Sequence, residues 1–196
     1  MSYEPVAQTD LAAVVTFLEM RERPVVDIPD SSLSLQRIPA PAPDSYRALF
    51  RLVGAPWLWF SRLAMDDATL AAIIQHESVE LYAAEDEQGR RCGMLELDFR
   101  GAGECELAFL GLAPELAGKG HGRWLLAEAV SRAWREGVTR VHVHTCSLDH
   151  PAALSAYRRA GFTPYKRAIE SFPDPRLLGI LPKDCAPQVP LLGTLA

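Results

Sequence analysis

No apolar run in this 196-residue chain approaches the roughly 20 residues that a membrane-crossing helix needs. Nor is there an excess of positive charge: 20 Lys and Arg stand against 25 Asp and Glu, a net charge of -5. That balance argues against non-specific binding to nucleic acid or to an anionic membrane, and points to neutral or cationic small partners. The four cysteines, Cys92, Cys105, Cys146 and Cys185, are far apart and form no C-x-x-C pair. A disulfide framework and a cysteine zinc site are therefore not expected; reduced, mostly buried thiols are. The opening "MSYEPVAQTD" lacks a basic start followed by an apolar block, so no secretory signal is read there and a cytoplasmic location is expected. Internal repeats and low-complexity blocks are missing too.

What is present is the patterning of a soluble globular chain, 48% apolar and 23% charged. "AVVTFLEM" (13–20) reads as a first strand or a buried helix. The alternating prolines of "RIPAPAPDS" make a loop, after which Asp44 or Ser45 is placed to cap a helix closed by Gly54. A second helix is capped by Asp66 or Asp67 and carries Leu70, Ile73 and Ile74 on one side. "VELYAAED" and "CGMLELDFR" read as a hairpin around "EQGRR", and "ECELAFLGLAP" as a third strand. A helix over 122–136 follows, then the strand "RVHVHTC", a short helix opened by Pro151, and a last strand or two within "GFTPYKRAIESF". This order predicts a mixed α/β fold, one domain over residues 1–170. Residues 171–196, with five prolines, read as a tail packed on that domain or extending from it.

The most informative stretch is "LAGKGHGRWLLAEAV" (116–130), with Gly118, Gly120 and Gly122 at alternate positions ahead of an amphipathic run. Glycines so placed leave main-chain N–H groups open at a helix N-terminus, an arrangement suited to a phosphate. Two familiar phosphate loops fail. A Walker A loop would need glycine at Ala113 and a hydroxyl residue at Gly120, and a dinucleotide fingerprint would need glycine at Leu125.

A third pattern fits. The strand "LAFLGLAP", the turn "GKGHG" and the helix "RWLLAEAVSRAW" resemble the acetyl-coenzyme A loop of the GNAT superfamily of N-acetyltransferases, whose core is [QR]-x-x-G-x-[GA]. The family's second hallmark, N-x-x-A-x-x-x-Y-x-[KR]-x-G-F, is matched in "HPAALSAYRRAGF" by Ala153, Tyr157, Arg159, Gly161 and Phe162. The chain departs from the pattern at Ala117, where Gln or Arg is usual, and at His150, where Asn is usual. "LVGAPWLWFSRL" and the stretch from Trp134 to Phe162 further resemble a bacterial subgroup of GNAT proteins.

The resemblance implies a GNAT fold: a mixed, mostly antiparallel, splayed sheet with helices on both faces. It also implies acetyl transfer from acetyl-coenzyme A to a primary amine by direct attack, without a metal. The cofactor-binding positions it carries over are Ala117, Gly118, Lys119, Gly120, His121, Gly122 and Arg123 for the pyrophosphate, and Leu110, Gly111 and Leu112 for the pantetheine arm. His150 is expected to hold the cofactor chain, and Gly111 to allow a bulge that splays its strand. The acceptor is a small-molecule or peptide amine, and a homodimer is left open. A coenzyme A-binding sensor domain without catalysis is the alternative of a different class.

An amine arrives protonated and has to lose a proton, usually to a carboxylate. Glu104 and Glu106 share one strand face, and the family pattern places the base at Glu106, with Glu96 on the neighbouring strand as the alternative. Tyr157 falls where the family keeps the phenol that protonates the departing thiolate. His142 and His144 alternate on a strand without a third metal ligand, and read as structural or substrate-facing. "WLWF" (57–60) and Tyr46 read mostly as core, at a place where the superfamily forms its acceptor pocket.

Overall fold

The computed structural model describes residues 3–193. Seven strands and four helices follow in the order β1 (Asp10–Met20), β2 (Ser34–Ile38), α1 (Pro43–Gly54), α2 (Asp67–Ile74), β3 (Val79–Glu85), β4 (Arg91–Asp98), β5 (Glu104–Leu112), α3 (His121–Ala133), β6 (Arg140–Cys146), α4 (Ala153–Arg159) and β7 (Thr163–Pro173). They build one open sheet in the spatial order β2-β3-β4-β5-β6-β1-β7. Every neighbouring pair is antiparallel except β5 and β6. The N-terminal strand thus lies inside the sheet, between two strands from the C-terminal half. No helix among the described residues is long and apolar enough to cross a membrane.

The two faces follow from the two-residue alternation of strands. On one, Leu81, Ala83 and Met94 meet Tyr46, Leu49, Phe50 and Val53 of α1 and Leu70 and Ile74 of α2. On the other, Leu95, Leu97, Leu107, Val141 and Val143 meet Trp124, Leu125 and Ala129 of α3 and Tyr157 of α4. The interior strand β4 is buried along both faces.

Local signals explain most boundaries. Asp66 caps α2, its Oδ1 accepting from the Thr69 N–H at 2.7 Å. For α1 the cap is Ala42, not Asp44 or Ser45, because Pro43 opens the helix without an N–H to satisfy and Asp44 falls inside the first turn. The helix α3 starts at His121 and stops at Ala133, short of the expected 136, where Trp134 turns extended three residues before Gly137. The short edge strand β2 is an element that the sequence pattern did not announce.

The segment after β7 is organised around a buried charge pair rather than lying loose. Arg176 donates to both carboxylate oxygens of Asp174 (3.0 and 2.7 Å) and to the Val189 carbonyl at 2.8 Å. Leu181 and Ala186 close over Leu58 beside Leu11, Phe60 and Leu148. Truncating one member of a buried pair leaves the other charge desolvated and alone. Arg176→Ala should therefore lower unfolding free energy by about 3–5 kcal/mol in chemical denaturation. A loss below about 1 kcal/mol would show that residues 174–189 are not part of the cooperative fold.

Candidate active site: a forked sheet with a glycine turn

The sheet forks. β5 and β6 are paired only from Glu104 to Glu106 against Arg140 to His142. Beyond that point β5 stays on β4, from Leu107 to Leu112, and β6 stays on β1, from Val141 to Cys146. From Leu107 onward β5 therefore has a partner on one edge and none on the other. The divergence coincides with a bulge. Glu96 opposes Phe109 while Leu97 opposes Leu107, so Ala108 is an extra residue.

Gly111 was expected to permit this bulge but lies three residues past it. Its requirement is packing: a Cβ there would sit 2.5 Å from Val53 Cγ1. Trp59 spans the open end of the fork. Its ring packs on Phe109 of β5 at 5.3 Å, and its Nε1 donates to Asp149, in the loop after β6, at 3.0 Å. Asp149 in turn accepts from the Thr145 hydroxyl and the Cys146 N–H. Leu58, buried at a left-handed φ of 59°, turns the chain between Trp57 and Trp59. Trp57 lies edge-on to His150 at 5.0 Å.

The glycine turn follows β5. Gly118 and Gly120 have φ of 76° and 85°, the region that favours glycine. Gly120 is the N-cap of α3 and brings no side chain to the first-turn N–H groups; Gly122 is already helical. A Cβ at Gly118, Gly120 or Gly122 would meet nothing within 4 Å, so this backbone is open to a ligand. Lys119, Gly120, His121 and Arg123 line a cavity of about 410 Å³ with Pro29 to Ser32 from the segment after β1. Ser31 Oγ lies 2.9 Å from His121 Nδ1, a contact without any sequence signal.

On the α1/α2 face, at the vertex of the fork, stands Glu106, with Oε1 3.3 Å from Nδ1 of His144. The His144 contact is the main cause holding the Glu106 carboxyl below its ordinary value, and burial opposes it. The same contact raises the imidazole of His144. Glu104 is occupied otherwise, by Arg140 at 3.1 Å, which also binds Glu19. Glu96 is sealed: fully buried, it accepts from Arg62 at 2.6 Å on one oxygen and from Tyr46 on the other. Tyr157 lies in the opposite, apolar layer beside Phe162, and burial first, then the charge of Asp149, pushes its phenol well above the usual value. No group of three or more metal-ligating side chains occurs among the described residues.

The profile of the acetyltransferase (GNAT) family matches residues 46–162, from the first turn of α1 to the residue before β7. The chain belongs to this family. Membership identifies an N-acetyltransferase domain that uses acyl-coenzyme A. A GCN5-related N-acetyltransferase from Sphaerobacter thermophilus has the same fold at a TM-score of 0.62 and 18% identity, over 82% of this chain and 51% of that one. An IAA acetyltransferase from Bacillus cereus matches at 0.52 and 24% identity, over 69% and 79%. An aminoglycoside acetyltransferase from an uncultured soil sample matches at 0.56 and 17%, over 71% and 93%. The chain thus spans about half the length of the Sphaerobacter protein. No curated protein matches it.

The fold expected from the sequence is the fold observed. The structure brings Leu110, Gly111 and Leu112 onto β5 beyond its last pair with β6, and Ala117 to Arg123 into the glycine turn and the first turn of α3. His150 is exposed, its Nδ1 accepting from the Ala152 N–H at 3.1 Å. Sequence reasoning missed the Tyr46–Glu96–Arg62 cluster and the Trp59–Asp149 bridge. Tyr46 and Trp59 drew notice only as aromatic core, and nothing local reveals a partner 50 or 90 positions away.

If the turn takes the pyrophosphate, coenzyme A at about 100 times its dissociation constant should stabilise the fold by roughly 2.7 kcal/mol. Gly122→Val should abolish that gain and leave the ligand-free midpoint nearly unchanged, since its φ is helical and its Cβ points into open space. Gly120→Val is a poorer probe, because valine at φ 85° strains the backbone by itself. An undiminished ligand shift in Gly122→Val, read by thermal denaturation, would place the pyrophosphate elsewhere.

Proposed function

We propose that the chain transfers an acetyl group from acetyl-coenzyme A directly to a primary amine, with the donor entering from the α3/α4 side of the fork and the acceptor from the α1/α2 side. The observation that carries this is the fork itself. On the edge that faces β6, main-chain groups of β5 between Leu107 and Leu112 lack a strand partner, and unpaired amides near a buried surface are costly unless something else pairs with them. The amide-bearing pantetheine arm of coenzyme A has the spacing of an extra strand. The bound thioester would supply an activated acetyl carbonyl.

The residues of this chain divide the remaining work. Backbone N–H groups of residues 118–122, the N-terminal end of α3, Lys119 and the Arg123 side chain offer the pyrophosphate a positive and donor-rich cradle, while the N–H groups of Ala117 and Arg123 donate to the Pro114 and Gly120 carbonyls. A β5 main-chain N–H on the open edge can polarise the acetyl oxygen as negative charge develops there. Glu106 marks the proton-accepting end of the site. Of the three carboxylates considered, Glu96 has both oxygens taken in the core and Glu104 is committed to Arg140, which leaves Glu106, about one-third exposed, at the vertex. Tyr157, kept protonated by burial, is the donor available to the departing sulfur.

The acceptor side is roofed over β3 to β5 by α1 and α2, whereas His144 and Tyr165 on β6 and β7 are about half exposed. The proposed acceptor is accordingly a small-molecule or peptide amine that approaches over β6. Thiol release from acetyl-coenzyme A across a panel of amines, amino acids and short peptides tests the assignment. Release should depend on the amine, and Tyr157→Phe should slow it about 10²–10⁴-fold without changing the stabilisation by coenzyme A. Ligand stabilisation without thiol release for any amine would favour a coenzyme A-binding sensor.

A further inference from the structure

Glu106 is poorly suited to take a proton from an ammonium by itself. Its carboxyl is held below the ordinary value by the neighbouring imidazole, so it is a weaker base than a free carboxylate. The group beside it is better matched. His144 sits one strand across the fork and two residues beyond the last β5–β6 pair, on the same face as Glu106. Its side chain is 50% exposed, whereas that of Glu106 is 32% exposed. The nitrogen turned to Glu106 is Nδ1, which leaves Nε2 free to meet an incoming amine. A carboxylate on one imidazole nitrogen fixes the tautomer that keeps a lone pair on the other.

We propose that His144 Nε2 is the atom that accepts the proton of the acceptor amine, and that Glu106 is its positioning residue. This rests on the acetyl-transfer assignment above. The ammonium first gives one proton to Nε2, which passes it to water; as the neutral amine nitrogen then bonds to the acetyl carbon, a second N–H bond breaks and its proton moves to Nε2. Glu106 balances the imidazolium that results. The C–S bond then breaks with its electron pair on sulfur, which takes a proton from the Tyr157 side of the fork, and both protein groups re-equilibrate with water.

His142, two residues earlier, does not fill this role. It is less exposed, burial is the main cause that lowers its imidazole, and its Nε2 faces Glu104 at 3.6 Å. The charged groups around His144 act mostly in one direction. Glu106 on β5, Asp149 after β6 and Glu170 on β7 favour its cation. On β1, Phe17 packs against the ring at 5.8 Å and brings no charge, while Lys166 of β7 sits over the Phe17 ring at 5.0 Å. His142 and Arg140 lie further down the same strand, and Asp98 and Glu104 lie beyond Glu106. The contact with Glu106 first, against burial and with Asp149 and Glu170, therefore raises the imidazole above its ordinary 6.5 and makes it a stronger base than a free imidazole.

Two readouts test this. In the ligand-free protein, NMR titration of the His144 Cε1–H should give a value above 6.5 that returns toward 6.5 in Glu106→Gln. In thiol-release assays with the most active amine of the panel, kcat/KM should lose activity on the acid side along the same titration. Glu106→Gln should move that limb to lower pH and retain part of the rate. His144→Gln should remove the limb and cost about 10²–10⁴-fold, with coenzyme A stabilisation intact. A His144 that titrates at or below 6.5 whether or not Glu106 is ionisable overturns the pairing with no acceptor needed. A His144→Gln enzyme with wild-type rate and limb, while Glu106→Gln is inactive, returns the base to Glu106. Absence of turnover with every amine, against a raised His144 titration, sinks the acetyl-transfer assignment and with it His144 as its base.

Discussion

The end of pairing between β5 and β6 at Glu106 and His142 is the constraint from which the rest of this site follows. Two strands that run parallel for three residues and then diverge create a wedge whose walls are backbone. One wall, β5, exposes donors and acceptors that a sheet would otherwise consume; the other, β6, is held away by its own partner, β1. The extra residue at Ala108 and the span of Trp59 from Phe109 to Asp149 keep the wedge from collapsing into a regular sheet. Filling it with a ligand backbone restores the hydrogen bonds that the fork leaves unmade.

The same wedge separates two chemical environments by only the thickness of the sheet. Toward α3 and α4 the surroundings are apolar, and Tyr157 remains a neutral donor there. Toward α1 and α2 they are ionic, with Glu106, His142, His144, Glu104 and Arg140 grouped on adjacent strands. A reaction that removes a proton from one reactant and delivers one to the leaving group of the other needs such an asymmetry. The proposed division of labour uses the sheet as the partition. The N-terminal strand contributes indirectly: β1 holds β6 in place, and the segment after it reaches the glycine turn through Ser31 and His121.

Much of this was legible in the sequence because it is local. Glycines at alternate positions, an aspartate cap and period-two strands specify their own conformations, so the turn at 118–122, the strand 140–146 and the Asp66 cap are where the pattern puts them, whereas α4 begins at Ala153, two residues past the Pro151 expected to open it. What escaped depends on distant partners. β2 is five residues at a sheet edge with no apolar alternation, and β1 gives no sign that it inserts between β6 and β7. Glu96 and Glu106 look alike in sequence. Only the burial of one against Tyr46 and Arg62, and the facing of the other by His144, sets them apart. Gly111 was read as the site of a bulge because glycine so often marks one, but here it makes room for Val53.

The central claim is that the unpaired edge of β5 receives the arm of the acyl donor. Amide hydrogen exchange, read residue by residue with and without coenzyme A, addresses it directly. Amides of Leu107 to Leu112 that face β6 should exchange freely in the ligand-free protein and become protected with coenzyme A bound, together with those of residues 118–122. Protection confined to the turn, with the β5 edge unchanged, would contradict the account.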